Sequence, residues 1–272
     1  MMTTATGPVE GYQQVAPTVT RDGDVATIDC HGVYYRQMNE AIRGAFADGV
    51  KTVKLQGVNG QRYIGNAITG NDLRIEIDGV PGGDMAMFMN GPVIVTSGNA
   101  QDGVANTMNA GTVYINGDAG DVLGYGMRGG KVFVKGDVGY RIGIHMKAFE
   151  NLIPKVVCGG NARDFFGEYM AGGVLVLLGY HTQFDDQPLV GSFCGAGMHG
   201  GVIYLRGSVE TWQVGKECGI FTADDEDMKV LRPLVEEYAT AFGFDADEIM
   251  SQPFTKLVPV SHRPYGKLYA PM

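Results

Sequence analysis

Four methionines, Met89, Met108, Met127 and Met146, are each separated by 19 residues. Each of the first three is followed nine residues later by a glycine: Gly98, Gly117 and Gly136. The same offset returns at Met170 with Gly179 and at Met198 with Gly207, and it extends backwards as Gly70 with Gly79. Between each pair sits a short apolar run, such as "PVIV", "TVYI", "KVFV", "GVLVLL" and "GVIYL". A unit this small cannot enclose its own apolar side, so the units must stack to form a core.

Glycine fills 42 of the 272 positions, about twice the ordinary share of ~7%. Two coils show the full pattern, Gly117-x-x-Gly120-x-x-x-Gly124 and Gly136-x-x-Gly139-x-x-x-Gly143. A phosphate-binding loop follows one strand and opens one helix, once per domain. Here the glycines recur in phase with no helical pattern behind them, so they mark the corner of a coil. Corners need φ > 0 or close stacking of backbones about 4.8 Å apart, and both favour glycine. Two β-rich runs per period fit a right-handed parallel β-helix with coils of about 19 residues, an all-β fold. The Leu-x-x-Leu-x-Leu signature of leucine-rich repeats is absent. Seven to eight coils would give a rod of roughly 35 Å at that spacing. The methionines read as an interior ladder of flexible gap-filling side chains. Insertions at Lys147–Lys155 and His181–Gly191 interrupt the period without losing its phase, as loops extruded from one side do.

The ends carry different patterns, and a solenoid needs its ends covered. We divide the chain into an N-terminal arm with a capping strand and helix (1–50), a parallel β-helix (51–220), and a C-terminal helix with an extended arm (221–272). Met38, Ile42 and Phe46 form a helical stripe in the first part, predicting a cap. Asp224, Asp225, Glu226 and Asp227 suit a helix N-terminus. Leu234, Val235, Tyr238 and Phe242 give that helix an apolar stripe, with Pro233 restarting or kinking it, so helical caps are predicted at both ends of the solenoid. The tail from Gln252 reads as an extended, basic and aromatic arm.

A net charge of −9 argues against nucleic acid or an anionic membrane surface as partner. Cys30, Cys158, Cys194 and Cys218 lie far apart with no metal-ligand spacing, which suits reduced thiols in a cytoplasmic protein. The N-terminal stretch lacks the charged and apolar regions of a signal peptide. The longest apolar run, near Val174–Leu178, is too short to span a bilayer.

Catalysis needs a nucleophile beside a base or paired carboxylates. The histidines, His31, His145, His181, His199 and His262, sit in no catalytic motif. Asp164 and Glu168, in "NARDFFGEYM", are the most suggestive acids, and a structural pairing with Arg163 accounts for them. Cys194 has no evident activating base. The residues therefore predict no catalytic residue, no cofactor-binding residue and no metal ligand. The one enzymatic rival is a groove site at Asp164, Glu168 and His199 acting on a sugar or formyl compound. A rod that self-associates through its ends, as a homo-oligomer, is a third reading.

"GVNGQRYIGNAITGNDLRIEIDG", the glycine coils, "RDFFGEYMAGGVLVLLG" and "GMHGGVIYLRG" resemble the glycine-repeat (GXGXG) β-helix domain that ends the glutamate synthase large subunit. The likeness runs from about Val50 to Gly219, and the C-terminal helix with "FTKLVPV" extends it. As a free-standing chain it is similar to the split glutamate synthases of archaea and some bacteria. The resemblance implies a non-catalytic structural subunit without a cofactor of its own. Its partners would be a glutaminase (class II amidotransferase) subunit and an FMN- and iron–sulfur-dependent synthase subunit, which makes glutamate from 2-oxoglutarate. Two other complexes share the repeat: N-methylglutamate synthase, and formylmethanofuran dehydrogenase with its formyltransferase/hydrolase counterpart.

Overall fold

A computed structural model describes residues 15–184 and 186–260. The described part of the chain is a parallel β-solenoid with few helices. An antiparallel pair opens it: β1 (Thr18–Asp22) and β2 (Val25–Asp29). Helix α1 (Tyr35–Ala47) follows, then the parallel strands β3 (Thr52–Asn59), β4 (Arg74–Val80), β5 (Asn90–Thr96) and β6 (Ala110–Ile115). Strands β7 (Lys131–Val134), β8 (Lys155–Cys158), β9 (Ala171–Leu177) and β10 (Gly200–Arg206) continue the ladder. Strand β11 (Cys218–Thr222), helices α2 (Asp225–Phe242) and α3 (Ala246–Met250), and strand β12 (Phe254–Pro259) complete the chain. All twelve strands form one sheet, in sequence order up to β10 and ending β10-β12-β11.

Register explains why an apolar alternation suffices. Ile75, Ile94, Val113, Val132, Val156 and Leu175 are direct partners on successive strands, and all are fully buried. Two residues on, Ile77, Thr96, Ile115, Val134, Cys158 and Leu177 repeat this. Each buried aliphatic side chain contributes about 1.5–3 kcal/mol of transfer free energy, and like stacks on like. The one polar rung, Thr96, is fully buried and donates its hydroxyl to the Gly98 carbonyl at 2.7 Å, so it carries no desolvation penalty. The second β run expected in each coil is only a single-residue ladder, Ala100–Ala119–Val138–Ala162–Val190.

The corner preceding each strand has an unusual backbone. Residues one, three and five of a six-residue stretch have positive φ. Val122, Gly124 and Gly126 are one set, Arg141, Gly143 and His145 the next, and Phe165, Gly167 and Tyr169 a third. Amides one and five donate to the following coil and amide three to the preceding one. In one corner these are Arg141 to Asp164 O (3.0 Å), His145 to Glu168 O (3.1 Å) and Gly143 to Leu123 O (2.7 Å). The sixth residue closes the stretch on the third, as Met146 does on the Gly143 carbonyl at 3.0 Å. Six corners place a methionine there, and Met89, Met108, Met127, Met146, Met170 and Met198 are all fully buried. With the corner at Tyr63, Gly65 and Ala67, seven corners bound six complete turns. That is fewer than the sequence suggested, because after β10 the chain leaves the coil and returns antiparallel.

The repeated glycines divide into two kinds. Gly124 and Gly143 have φ of 73° and 70°. Gly117, Gly120, Gly136 and Gly139 do not; a Cβ on each would collide with the side-chain oxygen of Asn99, Asp102, Asp118 or Asp121 in the coil below. That oxygen accepts the backbone N–H of the residue after the glycine. Asp118 N donates to Asn99 Oδ1 (2.9 Å), Asp137 N to Asp118 Oδ1 (2.8 Å) and Asn161 N to Asp137 Oδ1 (2.6 Å). Glycine followed by Asn or Asp therefore builds a second hydrogen-bond ladder.

The two helices differ in role. Met38, Ile42 and Ala45 of α1 join the interior core, so α1 covers the first coils, as expected. Helix α2 is one helix despite Pro233, and it does not cap the last coil. It lies along the outer face of the sheet, where Leu231, Leu234, Val235, Tyr238 and Phe242 cluster with Phe133, Val157, Val176 and Tyr204. The outward strand positions turn apolar there, and an apolar sheet face needs a cover more than a coil end that β12 and β11 already extend. Gly159 leaves room for the Tyr238 hydroxyl, which donates to the Lys135 carbonyl at 2.8 Å. The two insertions leave the coil at different places, one between corner and strand, the other after β9. Residues 261–272 of the expected arm, with His262, lie outside the described residues; its first part forms β12.

Three outcomes follow for stability. Gly98 has nothing closer than 3.8 Å to an added Cβ, whereas Gly117 would meet backbone atoms of the preceding coil within 3.0 Å. Thermal unfolding should therefore show Gly117→Ala destabilised by about 1–3 kcal/mol and Gly98→Ala near neutral; equal effects would sink the close-approach argument. Met108→Ala should cost about 2–5 kcal/mol by opening a cavity in the ladder, read as a lower urea midpoint. The third concerns Asp227. Burial raises its pKa, but the hydrogen bonds from Lys256, the Asp224 amide and Tyr204 outweigh this, and its carboxyl stays below its ordinary 3.8. A depressed carboxyl stabilises above its unfolded pKa and loses that contribution as pH falls through the folded value. Asp227→Asn should lower stability at neutral pH and narrow its gap to wild type as the pH falls below the ordinary 3.8, as measured by melting along an acid series.

Candidate functional site

The structure spreads the sequence candidates along the rod and commits most of them to internal contacts. His31 Nδ1 lies 2.6 Å from Asp29 Oδ1, with both side chains exposed. The hydrogen bonds from His31 hold the Asp29 carboxyl below its ordinary range. This is a carboxylate–imidazole pair, but no serine, threonine or cysteine among the described residues hydrogen-bonds to its ring. A nucleophile–base arrangement is therefore not assembled there. The His181 ring packs on Phe244, with centroids 5.4 Å apart. His145 is held between two tyrosines, its ring 5.8 Å from Tyr125 and 5.3 Å from Tyr169. The His199 amide donates to the Met170 carbonyl at 2.7 Å.

Asp164 and Glu168 stand on one corner but do different things. Asp164 Oδ1 accepts the Ser192 amide at 2.8 Å, a rung of the ladder described above. Glu168 is buried and pairs with Arg141. Its partner is thus Arg141 in the preceding coil and not Arg163, which hydrogen-bonds to Gln187 and lies over the Phe184 ring. Residues 19 or more apart in sequence become neighbours once coils stack, so the adjacent arginine was the wrong choice. The ion pair also fixes the Arg141 guanidinium over Phe165, 4.3 Å from its centroid. Both acids of the groove reading are thus engaged with neighbouring coils.

The thiols are poor nucleophiles. Burial pushes Cys194 and Cys158 well up from the ordinary thiol range, Cys30 to about 12 and Cys218 to about 11. A thiol so raised carries almost no thiolate at neutral pH. No group of three His, Cys, Asp or Glu side chains that could hold a metal occurs among the described residues. No helix among them is long and apolar enough to cross a membrane.

What remains is surface. On the outer face of the sheet, along the flank of α2, a cleft of about 440 Å³ runs between Arg74, Tyr114 and the helix residue Glu237, next to one of about 380 Å³ lined by Lys54 and Glu76. Their charges are paired: Glu76 with Arg74 and Lys54, Glu237 with Lys131. A third cleft of about 440 Å³ lies beside the corner and is lined by Arg128, His145, Lys147 and Phe149. Along the same edge Phe88, Tyr125, Tyr169 and Phe193 are exposed. Sequence reading passed over Arg128 and Lys147. The signal was present, because both directly follow a ladder methionine.

The chain has the arrangement of a rigid rod whose chemically capable side chains serve the rod itself. Comparison with known proteins agrees in family. An uncharacterised protein of Methanocaldococcus jannaschii is 46% identical over 250 residues, spanning 90% of this chain and 96% of that protein. A family described as "GXGXG motif" matches residues 47–260, and the chain belongs to it.

Proposed function

We propose that this protein is a non-catalytic structural subunit of a glutamate synthase-type complex. In this reading it holds a glutaminase subunit and an FMN- and iron–sulfur-containing synthase subunit in register for glutamine-dependent glutamate formation. The observation that carries the reading is the GXGXG solenoid itself, matched over residues 47–260. The geometry supports it: one continuous twelve-stranded sheet is stiff along its length. The candidate acids are tied into coil-to-coil bonds, and the thiols are buried or partly buried. A scaffold needs stiffness and surface, and both are present.

Purification of the tagged chain from its native cell, with mass spectrometry of what accompanies it, tests the reading. The expected result is a glutaminase-like chain and an FMN/iron–sulfur chain in fixed ratio, with glutamine-dependent glutamate formation by the assembly. A methylated product from methylamine would reassign it to N-methylglutamate synthesis. Molybdenum or tungsten enzyme subunits would reassign it to the formylmethanofuran type. Recovery of the chain alone at every ionic strength would overturn the subunit reading.

A further inference from the structure

The distance from Met146 to Met170 is 24 residues instead of 19, and the added segment is a built feature. Phe149 and Leu152 exchange backbone hydrogen bonds of 3.0 and 2.9 Å, closing a tight turn with Glu150 at φ 52°. The turn is seated on the rod by missing side chains. A Cβ at Gly172 would lie 2.5 Å from the Ala148 amide nitrogen, and one at Gly129 would lie 3.4 Å from Leu152 Cβ. Yet the turn presents its apolar side chains to water: Phe149 is 57% exposed, Ile153 48% and Leu152 41%. Three large apolar groups held outward in one short segment add nothing to the core and mark an interaction surface.

Beside this turn lies unbalanced positive charge. Arg128 and Lys147 hold the same position on successive coils, their amides donating to Met108 and Met127 respectively. Both are exposed, and no ion pair engages either among the described residues. Like charges on neighbouring rungs repel, and the chain as a whole carries −9. His145 adds a third nitrogen base to the same cleft. Its backbone has φ of 55°, the left-handed conformation that Phe88, Thr107 and Tyr169 also adopt at the equivalent position of other corners.

We propose that this turn and the adjoining cleft dock an acidic segment of another polypeptide, which sets carboxylates against Arg128, His145 and Lys147 and apolar side chains against Phe149, Leu152 and Ile153. The proposal rests on the subunit reading and names the face through which it operates. Charge complementarity selects the occupant: the patch is basic and calls for carboxylates, whereas a second copy pairing through this same face would set Arg128 and Lys147 against their own equivalents. A small anion would leave the apolar turn uncovered.

The test is co-expression of the full chain with the glutaminase-like and FMN/iron–sulfur chains, followed by binding measurements at several salt concentrations. The double variant R128E/K147E should weaken capture of one partner by about tenfold or more and flatten its salt dependence. F149S should weaken it with an unchanged melting temperature, since the ring is exposed. K54E, on the outer sheet face, serves as the control and should bind as wild type. Wild-type capture that R128E/K147E and F149S both leave intact would overturn the docking site while sparing the subunit reading. Failure of the wild-type chain to capture either partner would remove the subunit reading and the docking site with it. A dimer of the chain alone that R128E/K147E dissolves would overturn the proposal in favour of a second copy.

Discussion

Every coil of this protein hangs on its two neighbours through the corner, where three residues in six adopt left-handed backbone. That alternation turns the first and fifth amides to one neighbouring coil and the third to the other. A buried amide without a partner costs as much as a lost hydrogen bond, so the corner is stable only inside a stack. The repeat length follows from this constraint. A residue added or removed inside a corner would put the wrong amides opposite the wrong carbonyls, whereas residues added between corners leave those bonds in place. The two insertions therefore lie outside the corner, where they disturb no coil-to-coil bond.

The interior and the corner reinforce each other. The methionine at the sixth corner position closes the turn with its amide and fills the core with its side chain. Its methyl comes to rest beneath a glycine that begins the next strand; a Cβ on Gly130 would lie 2.5 Å from Met108 Cε. A β-branched side chain could not reach that gap, whereas a thioether adapts to it. The aspartates and asparagines that follow glycine do similar work on the outside. They give amides of the next coil a partner wherever sheet pairing stops. Of the two most suggestive acids in the linear sequence, Asp164 is in this setting a backbone acceptor and Glu168 the ion-pair partner of an arginine one coil back.

Function then falls to what the rod exposes. Asp102, Asp118, Asp121, Asp137 and Asp164 serve the ladder between coils, and Cys30, Cys158 and Cys194 are buried in the core. Surface features that the stack does not require stand out against it. The turn at Phe149 and the unpaired Arg128 and Lys147 are such features, because the coil would close equally well without them.

The sequence by itself determined the solenoid. A 19-residue period, an apolar run and a glycine at a fixed offset leave a stack of coils as the only way to bury so small a unit. It also determined the inward methionines and the N-terminal helix, since each depends on residue type and local period. Only the tertiary structure decided which acids meet which bases. Glu168 pairs with Arg141 across a coil boundary, a neighbour that no local spacing reveals. Only the tertiary structure put α2 on the flank, because its apolar stripe says that it must be buried and not against what. The outward residues Phe133, Val157, Val176 and Tyr204 come from four different coils. They become one apolar surface only after the register of the whole sheet is set.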